Sequence, residues 1–191
     1  MNQNLLINNI VTVKNKHYAI AKNILLVLSG TIFIALMAQV KIFLPSTVIP
    51  VTGQTFAVML IGLTYGKKLG TSTLISYITA GSLGLPVFAN LKSGFPFFSP
   101  SGGFVIGFLF AAFICGYFAD KGATKSYAKL IPVLLLAHFV LYFFGLLQFR
   151  LFFPGVNVFE KAFIPFIPGD IIKMVLMIGI LPTVWKFVKE Q

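Results

Sequence analysis

Long apolar segments alternate with two different kinds of connection, and this alternation constrains the fold of the chain most strongly. Ten of its fifteen Lys and Arg residues lie before the first apolar segment, after every second one, or near the C-terminus. Eight of its ten prolines lie in the other connections. The basic residues are Lys14, Lys16, Lys22, Lys67, Lys68, Lys121, Lys125, Lys129, Lys186 and Lys189. The prolines are Pro45, Pro50, Pro86, Pro96, Pro100, Pro154, Pro165 and Pro168. Because basic loops of membrane proteins stay in the cytoplasm, the pattern predicts a helical bundle with three long loops outside.

The composition excludes an ordinary soluble domain, because 58% of the residues are hydrophobic and only 10% are charged. A net charge of +11 is also typical of nucleic-acid-binding proteins. Here, however, the basic residues separate apolar segments and do not form a stripe along one helix. The positive-inside pattern accounts for the charge, so we expect the lipid bilayer as a partner and no nucleic acid.

Six membrane-spanning helices are predicted, at about 23–44, 54–66, 69–89, 102–119, 130–149 and 169–187. A helix needs about 20 apolar residues to cross a bilayer, but the second span has only 12 before Gly66, or about 18 Å. We therefore expect the first outer loop, residues 46–53, to dip into the bundle. The alternative is a short helix accommodated by tilt and local thinning of the bilayer.

The predicted architecture is an all-α membrane protein with one domain over residues 1–191, which begins with a polar segment at 1–22. Both termini are expected in the cytoplasm. The outer loops at 85–103 and 151–169 are rich in Phe, Val, Ile and Pro, unlike flexible linkers. They are expected to cap a ligand pocket; the competing interpretation is that they rest in the lipid interface.

Asp170 and Lys173 are the strongest candidates for a functional site among the few charged residues of the apolar segments. Asp170 opens the last apolar segment, where an aspartate also serves as an ordinary helix cap. Lys173 lies in the first helical turn, which the helix dipole disfavours for a cation, and it shares a face with Asp170. Lys173 could snorkel to the headgroups, but an intramembrane charge pair indicates a functional site.

Asn90 is the third candidate, at the junction of the third span and the second outer loop. Together with Asp170 and Lys173 it completes a set of amide, carboxylate and ammonium that suits a small polar ligand. Four phenylalanines of the same region are candidates for apolar walls: Phe88, Phe95, Phe97 and Phe98. His138 could be a ligand-binding or proton-relay residue, or a neutral histidine hydrogen-bonded to a neighbouring helix. No Cys/His cluster has metal-ligand spacing, so neither a metal nor a cofactor is expected.

Four stretches of the chain resemble the BioY family, the biotin-specific substrate-binding S components of energy-coupling factor (ECF) vitamin transporters. They occur in order and cover most of the chain. The stretches are 49–55 (IPVTGQT), 81–90 (GSLGLPVFAN), 99–104 (SPSGGF) with 107–108, and 168–173 (PGDIIK).

The resemblance implies a six-helix fold that captures biotin from outside, beneath the first and second outer loops. It also implies that Asn90, Asp170 and Lys173 hold the polar parts of the vitamin. A carboxylate can accept hydrogen bonds from the ureido N–H groups, and Lys173 can donate to the ureido oxygen, pair with Asp170 or meet the valerate carboxylate. Thr52 and Gln54 are weaker candidates for contacts with the ligand.

The resemblance further implies partners: a transmembrane coupling subunit and two ATPase subunits, in a bacterial plasma membrane. Small residues of the first helix would face the coupling subunit, with Thr31, Ala35 and Ala38 as counterparts. No G-x-x-x-x-G-K-[ST] motif occurs, so ATP hydrolysis must come from other subunits. The chain is expected not to be an enzyme. The alternatives are a solitary, ion-coupled or facilitative transporter and an S component for another vitamin.

Overall fold

The computed structural model describes residues 3–11, 16–43 and 47–189, and these ranges are mostly helical. Lys14 and Pro45, two members of the charge and proline pattern, lie outside the described residues. The described ranges confirm an all-α architecture. Two short strands are added to it at the end of the first long helix.

Seven α-helices follow one another in the described chain. They are α1 (Leu6–Ile10), α2 (Lys16–Gln39), α3 (Gln54–Ser82), α4 (Gly102–Asp120), α5 (Tyr127–Phe152), α6 (Val158–Ala162) and α7 (Ile167–Lys189). Short 3-10 turns occur at Ala89–Leu91, Pro96–Phe98, Ala123–Lys125 and Ile164–Phe166. Strands β1 (Lys41–Ile42) and β2 (Val51–Thr52) form an antiparallel pair in which Lys41 lies opposite Thr52 and Ile42 opposite Val51. This hairpin connects α2 to α3.

Helix α3 is broken at Gly66, which adopts φ +80°. A Cβ atom at this position would come within 2.6 Å of both the Asp120 carboxylate and the Leu5 side chain. Only glycine therefore satisfies both the backbone conformation and the space. The break separates helical segments at 54–65 and 67–82, which correspond to the predicted second and third spans.

Four stretches of the described chain are long and apolar enough to cross a membrane. They are His17–Gln39, Gly102–Asp120, Tyr127–Phe152 and Val158–Val188. Large apolar side chains on the outward faces of three helices are exposed, including Leu25, Leu28, Ile32, Leu36, Leu135, Phe139, Phe143, Leu147, Ile172, Val175 and Ile180. Such extensive apolar surfaces are rare on soluble monomers and are typical of lipid-facing helices. The protein is therefore an all-α, multi-pass membrane protein.

The helix boundaries differ from the prediction at three places. The third span was predicted to reach residue 89, but α3 ends at Ser82, because Gly84 takes φ +100° and Pro86 follows. Helix α2 begins inside the segment predicted to be polar, and it ends at Gln39 because the chain enters the β-hairpin. Helix α5 is longer than predicted at both ends.

The described part of the N-terminal segment packs onto the lysine-rich end of the bundle. Leu5 and Leu6 are 7% and 4% exposed. The Asn4 amide donates to the carbonyl of Asp120 at 3.1 Å and accepts from the Lys125 ammonium at 2.7 Å. This segment therefore joins the end of α4 to the turn that precedes α5.

Helix α3 lies at the centre of the bundle and packs against α2 and α4, while α4 packs against α5. Two of the three residues predicted to dock a partner subunit are buried within the bundle. Thr31 donates from its hydroxyl to the Thr73 carbonyl at 3.3 Å, Ala38 is fully buried, and Ala35 packs against the core. Small residues here permit close approach within the chain. Thr31 and Ala38 are thus buried within the chain and Ala35 is half-buried, and a docking role for these three residues stays a prediction.

Candidate functional site

A cavity of about 190 Å³ lies at the end of the bundle opposite the lysine-rich end. Residues of the first two loops predicted to be outer loops and of α3, α4, α5 and α7 form its walls. Its polar lining residues are Thr52, Gln54, Thr55, Asn90, Lys92, Ser93, Ser99, Ser101, Tyr142 and Asp170. Its largest apolar lining residues are Phe88, Phe95, Phe104, Phe108, Leu141 and Phe166. Apolar walls with a few polar groups are typical of small-molecule sites.

Asp170 is the one acidic residue that lines this cavity in the described chain, and it is only 6% exposed. It lies in the first turn of α7. One carboxylate oxygen accepts a hydrogen bond from the Lys173 ammonium at 2.9 Å, and the other accepts from the Tyr142 hydroxyl. A buried charge is tolerated only when it is paired and hydrogen-bonded, and both conditions are met here. The carboxylate is thus held ready to accept further donors from the cavity.

Lys173 contacts the Asp170 carboxylate but is not among the described residues that line the cavity. Its side chain is only 13% exposed, so it is largely enclosed by the protein. The prediction of a charge pair turned into the protein thus matches the observed positions of both residues. Lys173 therefore acts on the cavity only through Asp170, whose carboxylate it neutralises and orients.

His138 lies one helical turn before Tyr142 on α5, on the same side as Asp170. Its Nδ1 atom lies 2.9 Å from the Leu134 carbonyl, which can only accept, so Nδ1 carries the proton. Its Nε2 atom is buried, has no hydrogen-bond partner among the described residues, and lies 3.9 Å from the Asp170 carboxylate. Two interpretations of His138 were open, a ligand-binding or relay residue and a hydrogen-bonded histidine. The Nδ1 contact fits the second, although the acceptor lies on the same helix and not on a neighbouring one.

Asn90 is held in a strained turn at the cavity wall. Asn90 and Leu91 have φ of 65° and 54°, a conformation that bulky residues rarely adopt. The Gln39 side chain stabilises this turn from both sides, since it donates to the Phe88 carbonyl at 3.0 Å and accepts from the Leu91 N–H at 3.1 Å. The Lys41 ammonium donates to the Asn90 side-chain oxygen at 2.6 Å. Strain of this kind is concentrated at functional sites.

The two weaker candidates, Thr52 and Gln54, and the apolar-wall candidate Phe88 also line the cavity. The Thr52 hydroxyl accepts from the backbone N–H of Gln54 at 3.3 Å. The Gln54 amide donates to the Tyr77 hydroxyl at 3.0 Å, and the Phe88 ring packs edge-on against the Tyr77 ring at 5.4 Å. Buried Tyr77 therefore links two of these candidates and supports this wall.

Gln148 of α5 fixes the second outer loop where the loop closes the cavity. Its side-chain amide lies within hydrogen-bond distance of the carbonyls of Pro96, Phe97 and Ser99, at 3.1, 3.2 and 2.7 Å. Phe95 of this loop lines the cavity, as predicted for an apolar wall. Phe97 and Phe98 do not: they are 64% and 83% exposed and lie outside the site.

The structure thus brings Asn90 and Asp170, from distant parts of the chain, to one cavity. The sequence analysis missed four side chains that organise them: Gln39, Lys41, Tyr142 and Gln148. Tyr142 carried a usable signal, since it lies four residues after His138 on the same helical face. The other three lie at helix or strand ends, where polar residues are ordinary, and they bind partners far away in sequence.

The described residues contain no group of His, Cys, Asp and Glu that could hold a metal ion. The cavity combines a paired carboxylate, an amide and hydroxyls with aromatic walls. These groups can hydrogen-bond to a small organic molecule and cover its apolar parts. Fold and site together define a class, that of membrane-embedded proteins that bind a small organic molecule.

The BioY family profile matches residues 7–190, so the chain belongs to the BioY family. This confirms the resemblance found in the sequence. The chain is 31% identical over 153 residues to the biotin transporter BioY of Thermotoga maritima, covering 79% of this chain and 89% of that protein. It is 30% identical over 164 residues to the biotin transporter BioY of Rhizobium etli, covering 80% of this chain and 87% of that protein.

A solved structure has the same fold. It is the crystal structure of the S-component for biotin from an ECF-type ABC transporter. The TM-score is 0.78 at 27% sequence identity, and the alignment covers 91% of this chain and 95% of that chain. The family assignment and this fold agree with a transporter component and not with an enzyme.

Proposed function

We propose that this chain is the biotin-binding S component of an ECF-type transporter, and that the cavity beneath the outer loops is its biotin site. The observation that carries the proposal is the buried Asp170, which lines the cavity with Asn90 while Lys173 neutralises its charge. A desolvated charge pair is costly to keep in a protein, so its position on a cavity wall supports a role in binding a ligand. The biotin transporters and the S-component for biotin that resemble this chain support the choice of ligand.

Hydrogen-bonding capacity indicates how biotin would be oriented. The Lys41 ammonium can only donate, so it occupies the Asn90 side-chain oxygen and leaves the amide nitrogen to donate to a ligand. Asp170 can only accept. The ureido oxygen would therefore face Asn90, and a ureido N–H would face Asp170. The aromatic walls would cover the ring sulfur and valerate chain, and exposed Lys92 would attract the carboxylate.

The proposal includes the topology and the partners. Six spans would arise from α2, the two halves of α3, α4, α5 and α7, with both termini in the cytoplasm and the outer loops over the site. The lysines at one end and the prolines at the other support this orientation. A coupling subunit and two ATPase subunits would supply ATP-driven release, since no Walker motif occurs in the sequence. The location would be a bacterial plasma membrane.

Isothermal titration of the purified chain with biotin tests the site. We expect nanomolar affinity, which Asp170→Asn and Lys173→Ala each weaken by about ten- to a hundredfold, because a hydrogen bond to a charged group is lost or misoriented. Glu160→Gln and Lys161→Ala are matched controls outside the cavity and should bind as the unchanged chain does. Circular dichroism checks the helical content of each variant. Unchanged affinity in both site variants would refute the proposed pocket.

Two further experiments separate this function from its alternatives. Titration with a panel of vitamins tests whether biotin is the ligand. Uptake into liposomes that contain only this chain, with and without an ion gradient, tests whether it transports without an ATPase. The buried His138 close to Asp170 is the observation that keeps an ion-coupled transporter worth testing. ATP-independent uptake would assign the chain to that class.

A further inference from the structure

We propose that the corner between α4 and α5, at the lysine-rich end of the bundle, binds one anionic phospholipid. This corner contains a groove of about 410 Å³, here called the α4–α5 groove. Its walls include Phe118, Lys121, Lys129, Pro132, Val133 and Leu136. The inference is independent of the biotin site, because none of these residues lines the cavity at the other end.

The groove has an apolar wall and a cationic rim. Phe118 comes from the last turns of α4, and Pro132, Val133 and Leu136 come from the first turns of α5. Leu136 is 42% exposed, so the apolar wall is open to the surroundings of the bundle. Lys121 and Lys129 belong to the same groove from either side of the connecting turn. A phospholipid has the same two parts, an apolar chain and an anionic phosphate.

The two lysines are available to an anionic headgroup. Lys129 is exposed and has no ion-pair or hydrogen-bond partner among the described residues. The Lys121 ammonium donates to the Tyr117 hydroxyl at 2.6 Å and lies 4.2 Å from the centre of that ring, which leaves further N–H groups free. The neighbouring Asp120 does not line the groove; its carboxylate accepts from the backbone N–H of Lys67.

Aromatic rings place the groove at the level of the lipid headgroups. Tyr and Trp are concentrated at membrane–water interfaces. At this end of the bundle Tyr117, Tyr127 and Trp185 each carry a lysine ammonium over the ring, at 4.2, 5.9 and 4.6 Å from its centre. The rim of the groove therefore lies at headgroup depth, and its apolar wall faces the acyl chains. Basic pockets between helices on the positive side of a membrane protein bind anionic headgroups.

Native mass spectrometry of the full chain, titrated in detergent with phosphatidylglycerol or phosphatidylcholine, tests this inference. We expect one phosphatidylglycerol to be retained and phosphatidylcholine to be lost under the same conditions. Lys121→Gln and Lys129→Gln should each reduce retention about fivefold, the contribution expected of one lysine near an anionic lipid surface. Leu136→Ser should also reduce the retention of phosphatidylglycerol, because it interrupts the apolar wall for the acyl chain.

Lys68→Gln is the matched control, since Lys68 is exposed at the same end of the bundle and does not line the groove. It removes the same charge and should leave phosphatidylglycerol retention unchanged. Millimolar inorganic phosphate should not displace the lipid, because phosphate lacks the acyl chain. Equal retention of the two lipids, an equal loss in Lys68→Gln, or displacement by phosphate would each overturn the proposal. Unchanged biotin titration would show that the groove variants are folded.

Discussion

The Asp170–Lys173 pair at the cavity end and three lysines at the other end of the bundle lie in opposite environments. At the cavity end, Asp170 and Lys173 are largely withdrawn from solvent and pair with each other. At the lysine-rich end, Lys68, Lys121 and Lys129 are exposed, and aromatic rings, more than carboxylates, accompany the lysines. A buried pair carries a large desolvation cost, whereas exposed lysines cost little. The comparison supports the proposal that the buried pair recognises a ligand, whereas the exposed lysines follow the pattern that orients membrane proteins.

The same substitution at both ends should give the largest contrast. Lys173→Met leaves the Asp170 carboxylate buried without its counter-charge, and we expect a loss of about 3–5 kcal/mol in the free energy of unfolding. Lys68→Met removes an exposed ammonium and should leave unfolding unchanged. Unfolding by SDS, followed by circular dichroism in mixed micelles, measures both. If the two variants were equally stable, the pair at the cavity end would not differ energetically from a surface charge.

Removal of a tyrosine hydroxyl provides a second matched pair. Tyr142→Phe deletes a donor to the buried Asp170 carboxylate and should cost about 1.5–3 kcal/mol, as expected for a hydrogen bond to a charged group. Tyr117→Phe deletes the hydroxyl that contacts exposed Lys121 and should leave stability unchanged. The same SDS unfolding assay applies. A larger effect of Tyr117→Phe than of Tyr142→Phe would reverse the comparison.

Close packing should matter at both ends, but only one end should affect the ligand. A Cβ atom at Gly102 would lie 1.6 Å from the Pro96 carbonyl, and one at Gly116 would lie 2.5 Å from the backbone of Gly66 and Lys67. Substitution by Ala should cost about 1–3 kcal/mol of stability at either position, because the backbone must move. Only Gly102→Ala displaces the loop that closes the cavity, so only this variant should weaken biotin binding in isothermal titration.

Gly155→Ala is the control for these glycine substitutions, since no atom lies within 4 Å of the added Cβ and its φ is not positive. It should change neither stability nor affinity. Weaker biotin binding in Gly116→Ala would show that the two ends are coupled and that their roles do not separate.

Features of the structure could be predicted from the sequence when neighbouring residues alone indicated them. The break at Gly66 and the pair of Asp170 with Lys173 were predictable, because a glycine followed by two lysines and a charge within an apolar run stand out along the chain. The actual end of α3 at Ser82 was not, since its last turns are as apolar as the loop that follows. The burial of Thr31 was missed because small residues look the same whether they contact α3 or another subunit.

Hydrogen bonds between a side chain and backbone groups distant in sequence could not be predicted either. Gln39 is the clearest case. It lies 49 residues before Phe88 and 52 before Leu91, and its hydrogen bonds to these two residues form only when the end of α2 and the second loop meet. Nothing in its immediate neighbours distinguishes it from a glutamine that ends a helix. Its effect is to hold Asn90 at the cavity wall in a backbone conformation that is otherwise unfavourable.

Gln39→Met should reduce stability less than Lys173→Met does, and it sharpens the comparison within the cavity end. The side chain keeps its length but loses both hydrogen bonds to the turn, at a cost of about 1 kcal/mol each. Because Asn90 would then relax from φ 65°, we expect biotin affinity to fall several-fold with little change in helical content. Gln148→Met, which releases the loop at Pro96 and not the Asn90 turn, is the matched variant and should mainly speed biotin dissociation. Stopped-flow measurement of association and dissociation distinguishes the two, and identical kinetics in both variants would contradict a separate role for Gln39.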